Sequence, residues 1–264
     1  MASVLRLPGS MNVHLSPDGR FIEVDASETF VYDLTGRAVA CLTGESSHAE
    51  GWLPDSSAVL IRVAKSGGRD LTGPTEFALL GVNNRITRLG VPAPFYGPGG
   101  LVYWTSDARS ITVVDGTGLK IASQDGTAVV TVDPSSTAAP AGWLDDRHLL
   151  YYRPGADYYP VYRIADLAGV TTDATELNAR HMGYGVLAAP DGKSAVLMAT
   201  GPSTPIFSAL IASNGTLREL DIQMIFGWSG PHELIARRGG SVVAVDLPSG
   251  AMRTIGPVDP DLSF

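Results

Sequence analysis

Five histidines, one adjacent pair of aspartates and a serine beside a glycine are the residues of this chain from which chemistry could be built. A serine hydrolase holds its nucleophile on a strained elbow of the Gly-x-Ser-x-Gly type. No such string occurs; the nearest, Gly227-Trp-Ser-Gly-Pro, sits at a turn, and Ser229 reads as a turn residue. Gly183-Tyr-Gly-Val-Leu-Ala matches a dinucleotide fingerprint by letters, but it enters a strand and meets Pro190, so no helix N-terminus follows to hold a pyrophosphate. Of His14, His48, His148, His181 and His232, no two stand at the i, i+4 or His-x-His spacing that places two imidazoles on one metal. Asp145 and Asp146 occupy a place where other parts of the chain carry Pro-Asp, so they are expected to bond their own turn rather than to act as acid and base. Asn214-Gly-Thr is a glycosylation sequon in form, yet Asn-Gly between two β-rich runs is first a hairpin turn. The residues therefore point to no catalytic group, no metal site and no cofactor.

What positions these residues is a repeat. Leu15-Ser-Pro-Asp-Gly-Arg, Trp52-Leu-Pro-Asp-Ser, Tyr96-Gly-Pro-Gly-Gly, Trp143-Leu-Asp-Asp-Arg, Ala188-Ala-Pro-Asp-Gly-Lys and Trp228-Ser-Gly-Pro-His each combine a strand entrance with a turn. The anchors Asp18, Asp55, Gly99, Asp146, Asp191 and Pro231 are spaced by 37, 44, 47, 45 and 40 residues. Units of this length, rich in β-branched and aromatic residues, predict radially repeated blades. The expected fold is all-β: a six-bladed β-propeller of four-stranded antiparallel blades, one domain over 1–264, with blades near 10–44, 45–90, 91–134, 135–178, 179–221 and 222–256. Ser16-Pro-Asp-Gly shows the grammar, since proline presets φ at the second turn position and glycine closes the fourth. Trp52, Trp143 and Trp228 are expected to pack between blades. Thr172–Arg180 reads equally as a strand or as one short helix, Asp173 and Glu176 having capping-box spacing. The segment Val4-Leu-Arg-Leu is expected to help close the ring beside the last blade, with Arg253-Thr-Ile available as its outer strand.

Composition narrows the function. The net charge is −8, from 19 basic and 27 acidic residues, and the basic ones are scattered, so nucleic acid is not the expected partner. No apolar run approaches the length of a membrane span, and no charged leader precedes an apolar stretch, so the expected compartment is the cytoplasm, or an exported or periplasmic one if a leader has been removed. Cys41, the single cysteine, excludes an internal disulfide.

The Ser16-Pro-Asp-Gly-Arg, Trp52-Leu-Pro-Asp-Ser and Ala189-Pro-Asp-Gly-Lys phrases resemble the repeats of TolB-like and WD-repeat-like six-bladed propellers, which also occur in the propeller domains of prolyl oligopeptidase-type peptidases. The resemblance implies a protein-binding or gating role. No hydrolase domain accompanies the repeats here, so it implies no catalytic residues.

Function on such a fold belongs to the loops, because the strands are committed to packing. The second-to-third strand connections are long around Arg69 and Asp70, around Asp157, Tyr158 and Tyr159, and around Thr200–Pro205. Tyr158 and Tyr159 should share a rim with Arg180 and His181 of the following connection, although these tyrosines could equally continue their strand inward. Tyr, Arg and His make interface anchors. The expected binding surface is thus Arg69, Asp70, Asp157, Tyr158, Tyr159, Arg180 and His181, taking a protein or peptide partner on a monomeric, non-catalytic module. The alternative is a propeller-type enzyme or small-molecule binder, of the lyase, lactonase or isomerase class, with its site at the channel mouth; entrance strands such as Gly185-Val-Leu-Ala and Met224-Ile-Phe-Gly are apolar for that role. His48 and His181 fall in connections entering blades two and five, opposite one another in a six-fold ring, so they are read as loop histidines rather than ligands of a shared metal.

Overall fold

The computed structural model describes residues 12–25, 28–64, 71, 75–93, 103–114, 116–125, 127–155, 159–200 and 207–257. It divides into two compact units, Met1–Ser136 and Thr137–Phe264. The first holds three antiparallel sheets: β1 (Asn12–Leu15), β2 (Phe21–Asp25), β3 (Thr29–Asp33) and β4 (Ala38–Cys41); β5 (Ser47–Trp52), β6 (Ala58–Ala64), β7 (Thr75–Gly81) and β8 (Ile86–Ala93); β9 (Ser110–Val114), β10 (Leu119–Ser123) and β11 (Val129–Asp133). The second holds three more: β12 (Ala139–Asp145), β13 (His148–Pro154), β14 (Pro160–Asp166) and β15 (Thr171–Asp173), followed by the single-turn α1 (Thr175–Asn178); β16 (Gly183–Ala188), β17 (Ala195–Thr200), β18 (Ser208–Ile211) and β19 (Leu217–Leu220); β20 (Met224–Trp228), β21 (Glu233–Arg238), β22 (Ser241–Asp246) and β23 (Met252–Pro257). Every sheet is a simple meander in chain order.

Why the sheets stack within each unit is visible along β6. Val59, Ile61 and Val63 share a core with Val31 and Ala40 of the first sheet, whereas Leu60 shares one with Ile111 and Val113 of the third. A strand whose alternate side chains both find apolar partners reads as a continuous hydrophobic run, as Ala58-Val-Leu-Ile does. β17 repeats the arrangement in the second unit: Ala195 and Leu197 pack with Leu150, Tyr162 and Ile164, while Val196 packs with Leu234 and Val245.

The turn joining first and second strands recurs with one hydrogen-bond pattern. Asp18 Oδ1 accepts from Arg20 N–H, Asp55 from Ser57, Asp107 from Arg109, Asp145 from Arg147 and Asp191 from Lys193, at 2.7–3.0 Å. Each is a carboxylate bonding its own backbone two residues on. This corrects two anchors. In the third sheet the repeat of the bond stands at Asp107 rather than at the expected anchor Gly99, and Trp104 bridges Ile111 from the first-strand side. Gly99 lies outside the described residues. In the fourth sheet Asp145, not Asp146, holds the turn, accepting also from His148 N–H. Asp145 thus serves the backbone of its own turn, as expected, and Asn214 Oδ1 likewise accepts from Thr216 N–H within its hairpin.

Three tryptophans follow a glycine in a bulge. Gly51, Gly142 and Gly227 have φ of 148°, 140° and 144°, a region that L side chains avoid, and the ladder slips one residue at each. The bulge turns the next residue, Trp52, Trp143 or Trp228, against its neighbours. Trp52 donates from Nε1 to the carbonyl of His14 in the adjacent sheet and stacks on Phe21 at 6.3 Å. Trp104 holds the equivalent place in the third sheet.

Thr172–Arg180 is both readings in sequence: β15 ends at Asp173 and α1 begins at Thr175. Asp173 does not cap it; the N-cap is Ala174, with no side-chain bond. Glu176 instead accepts from Leu217 N–H at 3.0 Å. β23 supplies the last outer strand around Arg253-Thr-Ile, while Val4–Leu7 lies outside the described residues. Among the described residues no helix is long and apolar enough to cross a membrane.

Candidate functional site

In the second unit an aromatic ladder leads from the core to the surface. Tyr152 of β13 pairs in register with Tyr162 of β14, and their rings lie 5.7 Å apart. Tyr162 meets Tyr184 of β16 edge-on at 5.5 Å, and Tyr184 meets Phe207 at 6.1 Å. Offset and edge-to-face contacts at these distances add to simple area burial. The Tyr162 hydroxyl accepts from Tyr184 N–H at 2.7 Å, tying two neighbouring sheets together, and burial pushes it up to about 12. Burial also raises the Tyr184 hydroxyl, against the opposing pull of Arg180 nearby.

Asn178 fixes the route to the surface. Its Oδ1 accepts from Tyr162 N–H at 2.7 Å and its Nδ2 donates to the Tyr162 carbonyl at 3.0 Å, so one side chain substitutes for a missing partner strand. Asn178→Ala should leave the Tyr162 N–H unpaired at a cost of about 1–3 kcal/mol, lowering the melting temperature by about 2–12 °C. An unchanged calorimetric midpoint would mean that this N–H finds another acceptor.

The turn after α1 then delivers Arg180 and His181, both exposed. Arg180 places its guanidinium 4.2 Å from the centre of the Phe207 ring and bonds Glu219 at 2.8 Å. His181 holds a positive φ of 50°, a sparsely populated region for a side chain of this size. Its ring meets Tyr159 edge-on at 5.3 Å, and Tyr159 is 48% exposed. Of the seven expected residues, Tyr159 and His181 are therefore in contact, Arg180 stands next to His181 in the chain, and Tyr159 does not turn inward. Arg69, Asp70, Asp157 and Tyr158 lie outside the described residues.

A second constellation, in the first unit, went unread in the sequence. His14 Nδ1 lies 2.7 Å from Glu23 Oε2, and His48 Nδ1 lies 2.6 Å from Asp25 Oδ2. His48 belongs to β5 rather than to a loop before it. No spacing rule joins these residues, because register between β1 and β2 and the packing of β5 on β2 bring them together. Among the described residues no group of three or more His, Cys, Asp or Glu is arranged to hold a metal ion.

No protein-family model matches the chain, and no curated protein matches it. Solved structures do. An oligogalacturonate lyase from Vibrio parahaemolyticus superposes with a TM-score of 0.58 at 9% identity, covering 95% of this chain and 80% of that one. A prolyl endopeptidase gives 0.59 at 12%, covering 96% of this chain and 43% of that one. The WD40 domain of Toxoplasma gondii coronin gives 0.51 at 12%, covering 96% and 70%. At such identities the likeness is one of fold alone, and the fold is a six-bladed β-propeller.

Proposed function

We propose that this propeller works as a single, non-catalytic recognition domain that takes a protein or peptide partner on the surface formed by Tyr159, Arg180 and His181. The observation that carries the reading is the exposed Tyr159–His181 pair beside an Arg180 already held in place by Phe207 and Glu219. Aromatic and arginine side chains held in one geometry lose little entropy on binding, which is why they dominate interface energetics. The flanking Asp157 and Tyr158, and Arg69 and Asp70 of the other long connection, are proposed as further contacts.

The test compares capture of the same partner from native extract by the unaltered protein and by Tyr159→Ala with Arg180→Ala, followed by titration of the purified partner. Each lost anchor costs about 2 kcal/mol or more, so affinity should fall at least about tenfold. The melting curve should stay nearly unchanged, since exposed pairs such as Arg180–Glu219 contribute about 0–1 kcal/mol. Controls belong at the far ends of β13 and β16 in the same unit, at the exposed Arg147 and Lys193. Loss of binding on changing Arg147 and Lys193, with affinity intact in the Tyr159 and Arg180 variant, would place the interface at the other end of these strands.

A further inference from the structure

Glu23 and Asp25 stand two residues apart on β2 and so share one face of that strand. Their side chains are only 1% and 5% exposed. One oxygen of each is taken by an imidazole, His14 from β1 and His48 from β5. The other two, Glu23 Oε1 and Asp25 Oδ1, are buried with no hydrogen-bond partner. Beside His48 on the same strand, Glu50 lies 3.2 Å from Arg62 Nε of β6. Among the described residues, the charged and titratable groups facing the two carboxylates are thus His14, His48, Glu50 and Arg62.

Formal charge shows what the cluster lacks. With three carboxylates ionised, Arg62 charged and both imidazoles neutral, it carries two net negative charges; two protons bring it to zero. Buried carboxylates without full compensation are costly. Because the unpartnered oxygens are closed to solvent, the ligand small enough to reach them is a proton. Histidine is also the side chain that ordinarily changes charge between pH 5 and 8.

We propose that these six side chains form a proton-operated clasp between the first two blades, holding β2 to β5 when two protons are bound and letting that seam open more often once they leave. Burial raises both the Glu23 and Glu50 carboxyls above the ordinary range, Asp25 adding to each, while His14, His48 and Arg62 pull the other way. Groups raised in the folded state hold protons that the unfolded chain releases. Their contribution to stability is therefore present in acid and is lost as pH rises through the raised folded values.

Native-state hydrogen exchange on the unaltered protein tests this at pH 6 and pH 8, corrected for intrinsic rates and run where closing outruns exchange. Opening of β2 and β5 amides should increase at least about fivefold from pH 6 to pH 8 relative to β13 and β14, which serve as the internal reference. In Glu23→Gln with Glu50→Gln the ratio should flatten, because the groups that take up the protons are gone. A wild-type ratio equal at both pH values, or greater opening at pH 6, overturns the proposal even where the variant does not fold.

Discussion

Replacing Trp143 with alanine should lower the melting temperature by about 6–20 °C, the largest stability loss expected from truncating one side chain here. Trp143 is 2% exposed and heads the fully buried side chains by volume. Truncating a buried tryptophan costs about 3–5 kcal/mol, because the lost transfer free energy adds to a cavity that the surroundings fill only in part. Collapse is limited at this place. Gly142 sits with φ of 140°, and a Cβ there would lie 2.8 Å from the Val186 side chain of the neighbouring sheet, so the backbone is already in close contact. Trp143→Phe should recover a substantial part of the loss, and Trp52→Ala, at a half-buried position, should cost less. Calorimetry at two scan rates reads all three, and a shift under about 2 °C for Trp143→Ala would show that the site collapses freely.

Gly118→Ala should be comparably damaging for another reason. A Cβ on Gly118 would stand 2.1 Å from the Asp133 carbonyl oxygen and 2.8 Å from Pro134 Cα, and φ is +135°. Both obstacles are backbone, so no rotamer change relieves them, and the β10–β11 ladder must part where it already slips between Leu119 and Lys120. Backbone strain alone amounts to about 1–3 kcal/mol, and the steric overlap adds to it. Gly240→Ala meets nothing within 4 Å and should stay within about half a kcal/mol. If the urea midpoints of the two variants coincide, the close approach at Gly118 is not a constraint.

The blades were legible where their turns are spelled with Pro and Gly, as at Ser16-Pro-Asp-Gly and Ala189-Pro-Asp-Gly. The third blade's anchor was set at Gly99 because Tyr96-Gly-Pro-Gly-Gly carries louder turn letters than Thr105-Ser-Asp-Ala-Arg, where Ala108 takes a positive φ of 59° without being glycine. The physical marker is subtler: Thr105 Oγ1 donates to Asp107 Oδ1 at 2.7 Å, as Ser16 Oγ donates to Asp18 Oδ1 at 2.8 Å. The hydroxyl marks these two turns, while Asp55, Asp145 and Asp191 follow Leu53, Trp143 and Ala189 and bond their own backbone without it.

Tyr159, Arg180 and His181 were read as neighbours from loop length and residue type, two local properties. The His14–Glu23 and His48–Asp25 pairs were not, since each depends on which residues stand opposite one another across strands or sheets. A sequence states alternation along a strand, but register between strands is set by turns and bulges such as the one at Gly51.

The two-sided burial of β6 and β17 makes stability a chain of nearest-neighbour couplings, in the manner of a one-dimensional array. Leu60 and Ile61 are consecutive in the chain, yet Leu60 belongs to the junction with Ile111 and Ile61 to the junction with Val31. Damage at one junction should therefore propagate weakly to the next, and adjacent residues on such a strand are energetic strangers while their distant core partners are kin.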